Sequence, residues 1–333
     1  MQPFKTVVGI DVAQDSLAVS IYNGKSHEVL EFDYTQTAIR KNLLNRFKKE
    51  KESVVFVMEA TGIYHTQLAY MLCENTFKVS VLNPFVIKKY AEMNLMRVKT
   101  DSVDAKLIAQ YGYEYQHKLL FYKLKNDARV HVDNIIKAID DLLQQKTMSK
   151  NQHHALKKQA HHSKDILSSY DRHIKFISKE IIKLEKLLEG LLNESFAEEY
   201  KLLRSIPGIG LKTSSMIIAI FDSFKAFENS KQACSFAGIA PNPYQSGTSV
   251  KGRGRISKRG NPLARKILYM GALSATIHNP MIRSQYKRLI ENGKPKMVAM
   301  IAAANKLLRQ AFGVLKSGIP FDTEYMKVCK IMV

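Results

Sequence analysis

The sequence predicts an α/β domain followed by α-helical regions. Three observations carry that prediction. Short apolar or alternating runs, separated by turn residues, fill residues 1–125. A heptad seam runs through Leu167, Tyr170, Ile174, Ile177, Ile181, Leu184, Leu188 and Leu191. Beyond residue 201 the pattern stays helical but is punctuated by Gly and Pro. The expected boundaries are therefore 1–125, 126–200 and 201–333.

In the first region "KTVVGIDVA" is a short apolar run and reads as a buried strand. "SLAVSIYN" alternates and ends in a turn signal, and "HEVLEFDY" follows as a third strand. A Lys-rich helical stretch near 36–50 precedes the apolar run "SVVFVMEA", the helix "YHTQLAYMLCE" and a fifth strand in "KVSVLNP". Helices near 84–93 and 102–116 complete it. A three-strand meander followed by alternating helix and strand is the order of an RNase H-like mixed sheet, in which the first and fourth strands are parallel neighbours.

The middle region is helical only. Val132, Ile136, Ile139 and Leu143 form a shorter seam before the long one, so the pattern predicts a long antiparallel helical hairpin or coiled coil. Its tip falls near "KTMSKNQHHALKKQAHHSK". In the third region "LLRSIPGIGLKTSSMIIAI" has the form helix, P-G-I-G turn, helix. This resembles a helix-hairpin-helix, in which Gly208 and Gly210 let backbone N–H groups approach a phosphate, with Lys212 beside them.

The 333 residues carry 51 Lys and Arg against 30 Asp and Glu, a formal charge of +21 that points to a polyanionic partner. Three scattered cysteines fit neither a disulfide framework nor a zinc site. No run approaches the ~20 apolar residues of a membrane span, and no signal-peptide pattern opens the chain, so a cytoplasmic protein without a membrane partner is expected. His153, His154, His161 and His162 lack the three-to-five spacing of zinc ligands.

Four acids stand out. Asp11 ends the first strand and Glu59 the fourth, where a carboxylate is costly unless paired or metal-bound. Asp101 and Asp104, spaced i, i+3 at the start of a helix, share one face. Acids in a first helical turn commonly just complement the helix dipole. Four carboxylates in the order strand, strand, helix pair instead match what an oxygen-loving cation such as Mg²⁺ requires, with Mn²⁺ also suited.

Between Asn229 and Ile290 there is no acid, while cations recur: Lys251, Arg253, Arg255, Lys258, Arg259, Arg265 and Lys266. A solvated loop explains the interleaved glycines but not the missing acids; phosphate neutralisation explains both. Ser246, with Thr248 and Ser249 close behind, reads either as a phosphate hydrogen-bond donor or as a nucleophile on phosphorus.

The ordered set "GIDVAQDSLAVSI", "VMEATGIYH", "KTDSVDAKLIA", "LLRSIPGIG", "AGIAPNPYQSG" and "ISKRGNPLARK" resembles the DEDD-type transposases of bacterial insertion sequences, relatives of the Piv-type DNA invertases. The resemblance covers nearly the whole chain except the helical middle. It implies a RuvC-like catalytic domain whose metal-binding quartet is Asp11, Glu59, Asp101 and Asp104. It further implies a C-terminal transposase domain with a nucleophilic serine in a Ser-Gly motif, matched by Ser246 before Gly247, with Ser249 as the near alternative. A covalent phosphoserine–DNA intermediate, a structured guide RNA and assembly as a dimer or tetramer with a composite site are also implied. Two other readings stand beside this one. A RuvC-like junction nuclease would use water and leave Ser246 as a phosphate ligand. An architectural nucleic-acid-binding protein would have no use for four carboxylates facing a polyanion.

Overall fold

The computed structural model describes residues 3–322 apart from 61, 97–99, 125, 162, 243–244, 247–249, 252–254 and 257–259. The chain divides into two compact units, residues 1–125 and 126–333.

The first unit holds β1 (Thr6–Val12), β2 (Ser16–Tyr22), β3 (His27–Asp33), α1 (Gln36–Ile39, continued by a π-helical turn Arg40–Leu44), β4 (Val54–Glu59), α2 (Tyr64–Glu74), β5 (Lys78–Leu82), α3 (Pro84–Met93) and α4 (Asp101–Glu114). The five strands form one mixed sheet in the order β3-β2-β1-β4-β5. The β1–β2 and β2–β3 pairs are antiparallel, whereas β1–β4 and β4–β5 are parallel. The first and fourth strands are thus parallel neighbours, as the order of runs in the sequence required.

Both faces of this sheet are covered, which is why its central strands read as near-continuous apolar runs. Alternation sorts their side chains between two cores. Val8, Ile10, Val54, Phe56 and Met58 pack toward α1 and α2. Val7, Val55 and Val57 pack toward α3 and α4.

The second unit opens with two long helices, α5 (Asp127–Lys157) and α6 (Lys164–Ser195), which pack side by side and are joined through residues 158–163. The seam residues Val132, Ile136, Ile139, Ile177, Ile181 and Leu188 are buried as the heptad spacing implied. They belong to one core that runs on through Leu203, Leu268 and Leu307. The region 126–200 therefore shares its core with the residues that follow it, rather than forming a body of its own.

After α6 come α7 (Ala197–Arg204), α8 (Leu211–Ile220), α9 (Ser230–Ala237), four short strands, β6 (Pro241–Asn242), β7 (Gln245–Ser246), β8 (Val250–Lys251) and β9 (Arg255–Ile256), and then α10 (Pro262–His278), α11 (Pro280–Glu291) and α12 (Lys296–Ser317). By length and composition α12 is apolar enough to cross a membrane, a segment that counting consecutive apolar residues passes over. Its face Ala299, Ala303, Ala304, Leu307 and Ala311 is buried in the common core, packed on α10 and α11.

Candidate catalytic acids and the serine ribbon

The acid site begins with strand register. Ile10 is the partner of Met58 in the parallel β1–β4 ladder, so Asp11 and Glu59 lie one step beyond, side by side at the ends of their strands. By parity both share the face of Val7 and Val57, the face that α4 covers. Both are half-buried.

What brings α4 to that edge is the absence of side chains. A Cβ on Gly9 would stand 2.3 Å from the Ala109 nitrogen and 2.5 Å from the Ala105 carbonyl oxygen. A Cβ on Gly112 would meet Val7 and Val57 at 2.8 and 2.9 Å. The glycines and the small residues Ala105 and Ala109 let helix backbone lie directly on strand backbone. Thr100 caps the helix, its side chain accepting from the Val103 N–H at 3.4 Å, and thereby fixes the first turn that carries Asp101 and Asp104.

The result is electrostatic crowding. The Asp11 carboxyl is pushed up to about 6, first by burial and then by the charges of Asp101, Asp104 and Glu59, against a smaller opposing hydrogen bond from the Val12 N–H. All four acids therefore act on one locus. Among the described residues no three of these groups are drawn tightly enough to cage an ion as they stand. Four like charges repel one another, and a cation among them would oppose that repulsion and draw Asp11 back toward the ionised form. An all-carboxylate donor set fits a hard divalent cation and not a soft one.

Hydrogen bonds tie the two strand ends together. The Tyr64 hydroxyl donates to Gln14 Oε1 at 3.1 Å, linking the loop after Asp11 to the helix after Glu59. The Tyr34 hydroxyl in turn donates to the Tyr64 carbonyl at 2.7 Å and accepts from the Leu68 N–H at 3.1 Å. Sequence reasoning missed Gln14, Tyr64 and Tyr34, because nothing in their spacing announces a contact across thirty to fifty residues. Gly9 did carry a signal: a glycine inside an apolar strand commonly marks close backbone approach.

In the second unit the acid-free stretch forms paired strands. Pro241 and Asn242 pair antiparallel with Ile256 and Arg255, and Gln245 and Ser246 with Lys251 and Val250. Ser246 thus lies near the tip of a ribbon, backbone to backbone with Val250. Arg253, Lys258, Arg259, Gly247 and Ser249 fall outside the described residues.

Three of the expected phosphate contacts also have protein partners. Arg265 Nη1 donates to the Ala237 and Gly260 carbonyls at 3.3 and 3.2 Å, clamping the end of α9 to the start of α10. Lys266 pairs with Asp140 at 2.5 Å, and Lys212 with Glu185 at 2.9 Å, because α5 and α6 bring acids to the otherwise basic helices. The glycines of the α7–α8 turn also have packing roles. Gly208 has φ of +103° and abuts Ala275 of α10, where a Cβ would stand 2.5 Å from the alanine's own. Gly210 is the N-cap of α8, in an open cleft of about 510 Å³ that includes Arg204 and Lys212. His153 faces Asp171 of α6 at 3.5 Å, a local pair near the helix junction.

Residues 200–287 match the transposase IS116/IS110/IS902 family, and residues 8–162 match the DEDD transposase domain of IS110 elements. Over 96% of this chain and 98% of the relative, the sequence is 28% identical to the pilin gene-inverting protein of Moraxella lacunata. It is 22% identical to the transposase for insertion sequence element IS1328 of Yersinia enterocolitica, over 96% and 99% of the two chains. With the transposase for IS1111A of Coxiella burnetii the identity is 22%, over 82% and 78%. A DEDD transposase domain implies dependence on a divalent metal, which the donor set at the sheet edge suits. Crowded acids on one unit, an acid-free serine ribbon on the other and two family matches on the same two stretches lead to one assignment: the chain belongs to the IS110 family of transposases and is a DNA recombinase by class.

Proposed function

We propose that the first unit is an RNase H-like, RuvC-like catalytic domain and that the enzyme exchanges DNA strands at the junctions of an insertion sequence. Asp11, Glu59, Asp101 and Asp104 hold Mg²⁺, with Mn²⁺ an acceptable substitute, and Ser246 is the nucleophile. What supports this reading is the placement of Asp11 and Glu59 at adjacent strand ends on the face that α4 covers, with the charges of Asp101, Asp104 and Glu59 adding to burial in pushing Asp11 up.

The chemistry conserves phosphodiester energy. Ser246 Oγ bonds to a DNA phosphorus as the bond from that phosphorus to one deoxyribose oxygen breaks. The serine proton leaves, the released sugar oxygen gains one, and a phosphoserine remains. Attack on that phosphoserine by another strand's hydroxyl reverses the step and rejoins DNA without a nucleotide cofactor. Asp11, Glu59, Asp101 and Asp104 would hold a divalent cation, which when bound would offset charge developing at the reacting phosphate. The chain's own acids position that charge and exclude a second anion. The acid-free ribbon draws the phosphate chain toward Ser246.

The surplus of basic charge serves a structured guide RNA as well as DNA. The long α5–α6 pair suits contact across protomers, and the working species is a homo-oligomer, dimer or tetramer, with a composite site. It acts in the cytoplasm, at the nucleoid. A relative named for inverting a pilin gene supports strand exchange over simple hydrolysis.

Covalent trapping tests this. Purified protein is incubated with end-labelled junction DNA, the flanking RNA and Mg²⁺, and label surviving denaturation on the protein is measured. Retention in wild type and in Ser249→Ala, with loss in Ser246→Ala, is expected. Cleaved DNA without attached protein would replace this reading with a water-using nuclease.

A further inference from the structure

We propose that the cleft between the π-helical turn Arg40–Leu44 and helix α2 binds one unstacked nucleotide of a single strand, base on α2 and phosphate on the turn. The cleft encloses about 540 Å³, within the roughly 300–1,000 Å³ of small-ligand sites. It lies on the face of the sheet opposite α4, and none of the four acids lines it.

Its chemistry is divided between two walls. Arg40 and Lys48 come from the turn and the residues after it, with Lys51 behind them. The turn is wider than an α-turn: the Asn45 N–H reaches back five residues to the Arg40 carbonyl at 2.9 Å. Such turns recur at functional positions. Among the described residues neither Arg40 nor Lys48 forms an ion pair, whereas the nearby Arg46 is tied to Glu28 at 2.6 Å. Lys51 is held in place, its ammonium 3.0 Å from Thr76 Oγ1 and 5.2 Å from the Phe77 ring centre.

The other wall is one face of α2. Gln67, Tyr70 and Glu74 follow one another at helical spacing and line the cleft. Tyr70, 39% exposed, supplies a ring on which a base can stack. Gln67 offers both donor and acceptor, and Glu74 acceptors, to base edges. Three cations against one carboxylate suit an anion. A ring flanked by an amide and a carboxylate suits a planar heterocycle. A nucleotide combines both.

The nucleotide chemistry stands on the cleft alone. That it arrives on a strand, rather than free, rests on the recombinase reading. Other basic surfaces will also bind nucleic acid, so the test must report position. A 12-nucleotide single strand carrying 4-thiouridine is crosslinked to the full-length protein, and the adduct is mapped by mass spectrometry. The expected result is an adduct on the peptide containing Gln67 to Glu74, lost in Tyr70→Ala, reduced in the double variant Arg40→Ala/Lys48→Ala and unchanged in Lys41→Ala. Removing the two cations should also lower the salt dependence of strand binding by about 1.4 in logarithmic slope.

Competition separates the sources. An adduct resisting 5′-UMP but displaced by unlabelled strand supports a polymer. Displacement by 5′-UMP at equal nucleotide concentration keeps the site but overturns the strand. Adducts that avoid α2, or that persist in Tyr70→Ala, overturn the proposal. Asp11→Asn lies outside the cleft and should crosslink as wild type does. Wild-type protein that gives the adduct but cleaves no junction DNA, or Asp11→Asn that still cleaves it, would count against the recombinase reading alone.

Discussion

The acid edge of the first unit and the serine ribbon of the second are built on opposite plans. At the acid edge each carboxylate is fixed by several independent constraints: strand register for Asp11 and Glu59, the Thr100 cap for the helix pair, and side-chain-free contact at Gly9 and Gly112. The ribbon holds Ser246 by a ladder of two residues on each strand. Packing thus determines where the acids sit, while a short backbone pairing presents the serine.

The largest break should come from Gly9→Ala. The added methyl meets backbone atoms that cannot turn aside, so α4 must leave the sheet, at a cost of about 3 kcal/mol or more. Two-probe urea unfolding should show the first unit losing stability and the second unit unchanged. Equal loss in both would mean that the two units do not unfold independently.

Asp11→Asn should separate stability from activity. The folded carboxyl is pushed up to about 6 from its ordinary 3.8, so folding favours the protonated acid. That stabilisation is complete below 3.8 and disappears as pH rises through about 6. With half-burial discounting the effect, ionised Asp11 costs about 1–2 kcal/mol at pH 7. In chelator at pH 7 the variant should melt higher than wild type while losing catalysis, and the gain should vanish at pH 3.5. A variant less stable than wild type at pH 7 would contradict the electrostatic account.

Arg265→Ala sharpens the other side of the comparison. If the guanidinium clamps Ala237 and Gly260, its loss should cost about 1–2 kcal/mol of second-unit stability and leave the salt slope of DNA binding unaltered. A slope reduced by about 0.9 would instead make Arg265 a phosphate contact. The smallest effect is expected from Tyr64→Phe, which removes one exposed hydrogen bond to Gln14. It should cost under about 1 kcal/mol of stability and lower the cleavage rate several-fold with DNA affinity intact.

The same contrast explains what could be read in advance. Strand order, the parallel β1–β4 pair and the seam from Val132 to Leu191 follow from periodicity, which depends only on which residues must be buried. Asp11 and Glu59 stood out because charge at the end of an apolar strand violates that rule, and Asp101 and Asp104 because they share one face of a first helical turn. The roles of Arg265, Lys266 and Lys212 were not legible. Their partners Ala237, Asp140 and Glu185 come from other helices, and charge alone does not reveal which cations find acids within the fold. Gly208 is ambiguous for a related reason: a glycine that admits α10 looks in sequence like one that admits a phosphate.

The central claim is that Asp11, Glu59, Asp101 and Asp104 behave as one cation-binding group, and calorimetric titration of Mg²⁺ or Mn²⁺ at pH 6 tests it most directly. With Asp11 near its own titration point, cation binding to wild type should expel a fraction of a proton, seen as a heat that changes with buffer ionisation enthalpy. Asp11→Asn should bind far more weakly and release none. Binding of equal strength in both proteins, or binding to wild type without proton release, would contradict the account.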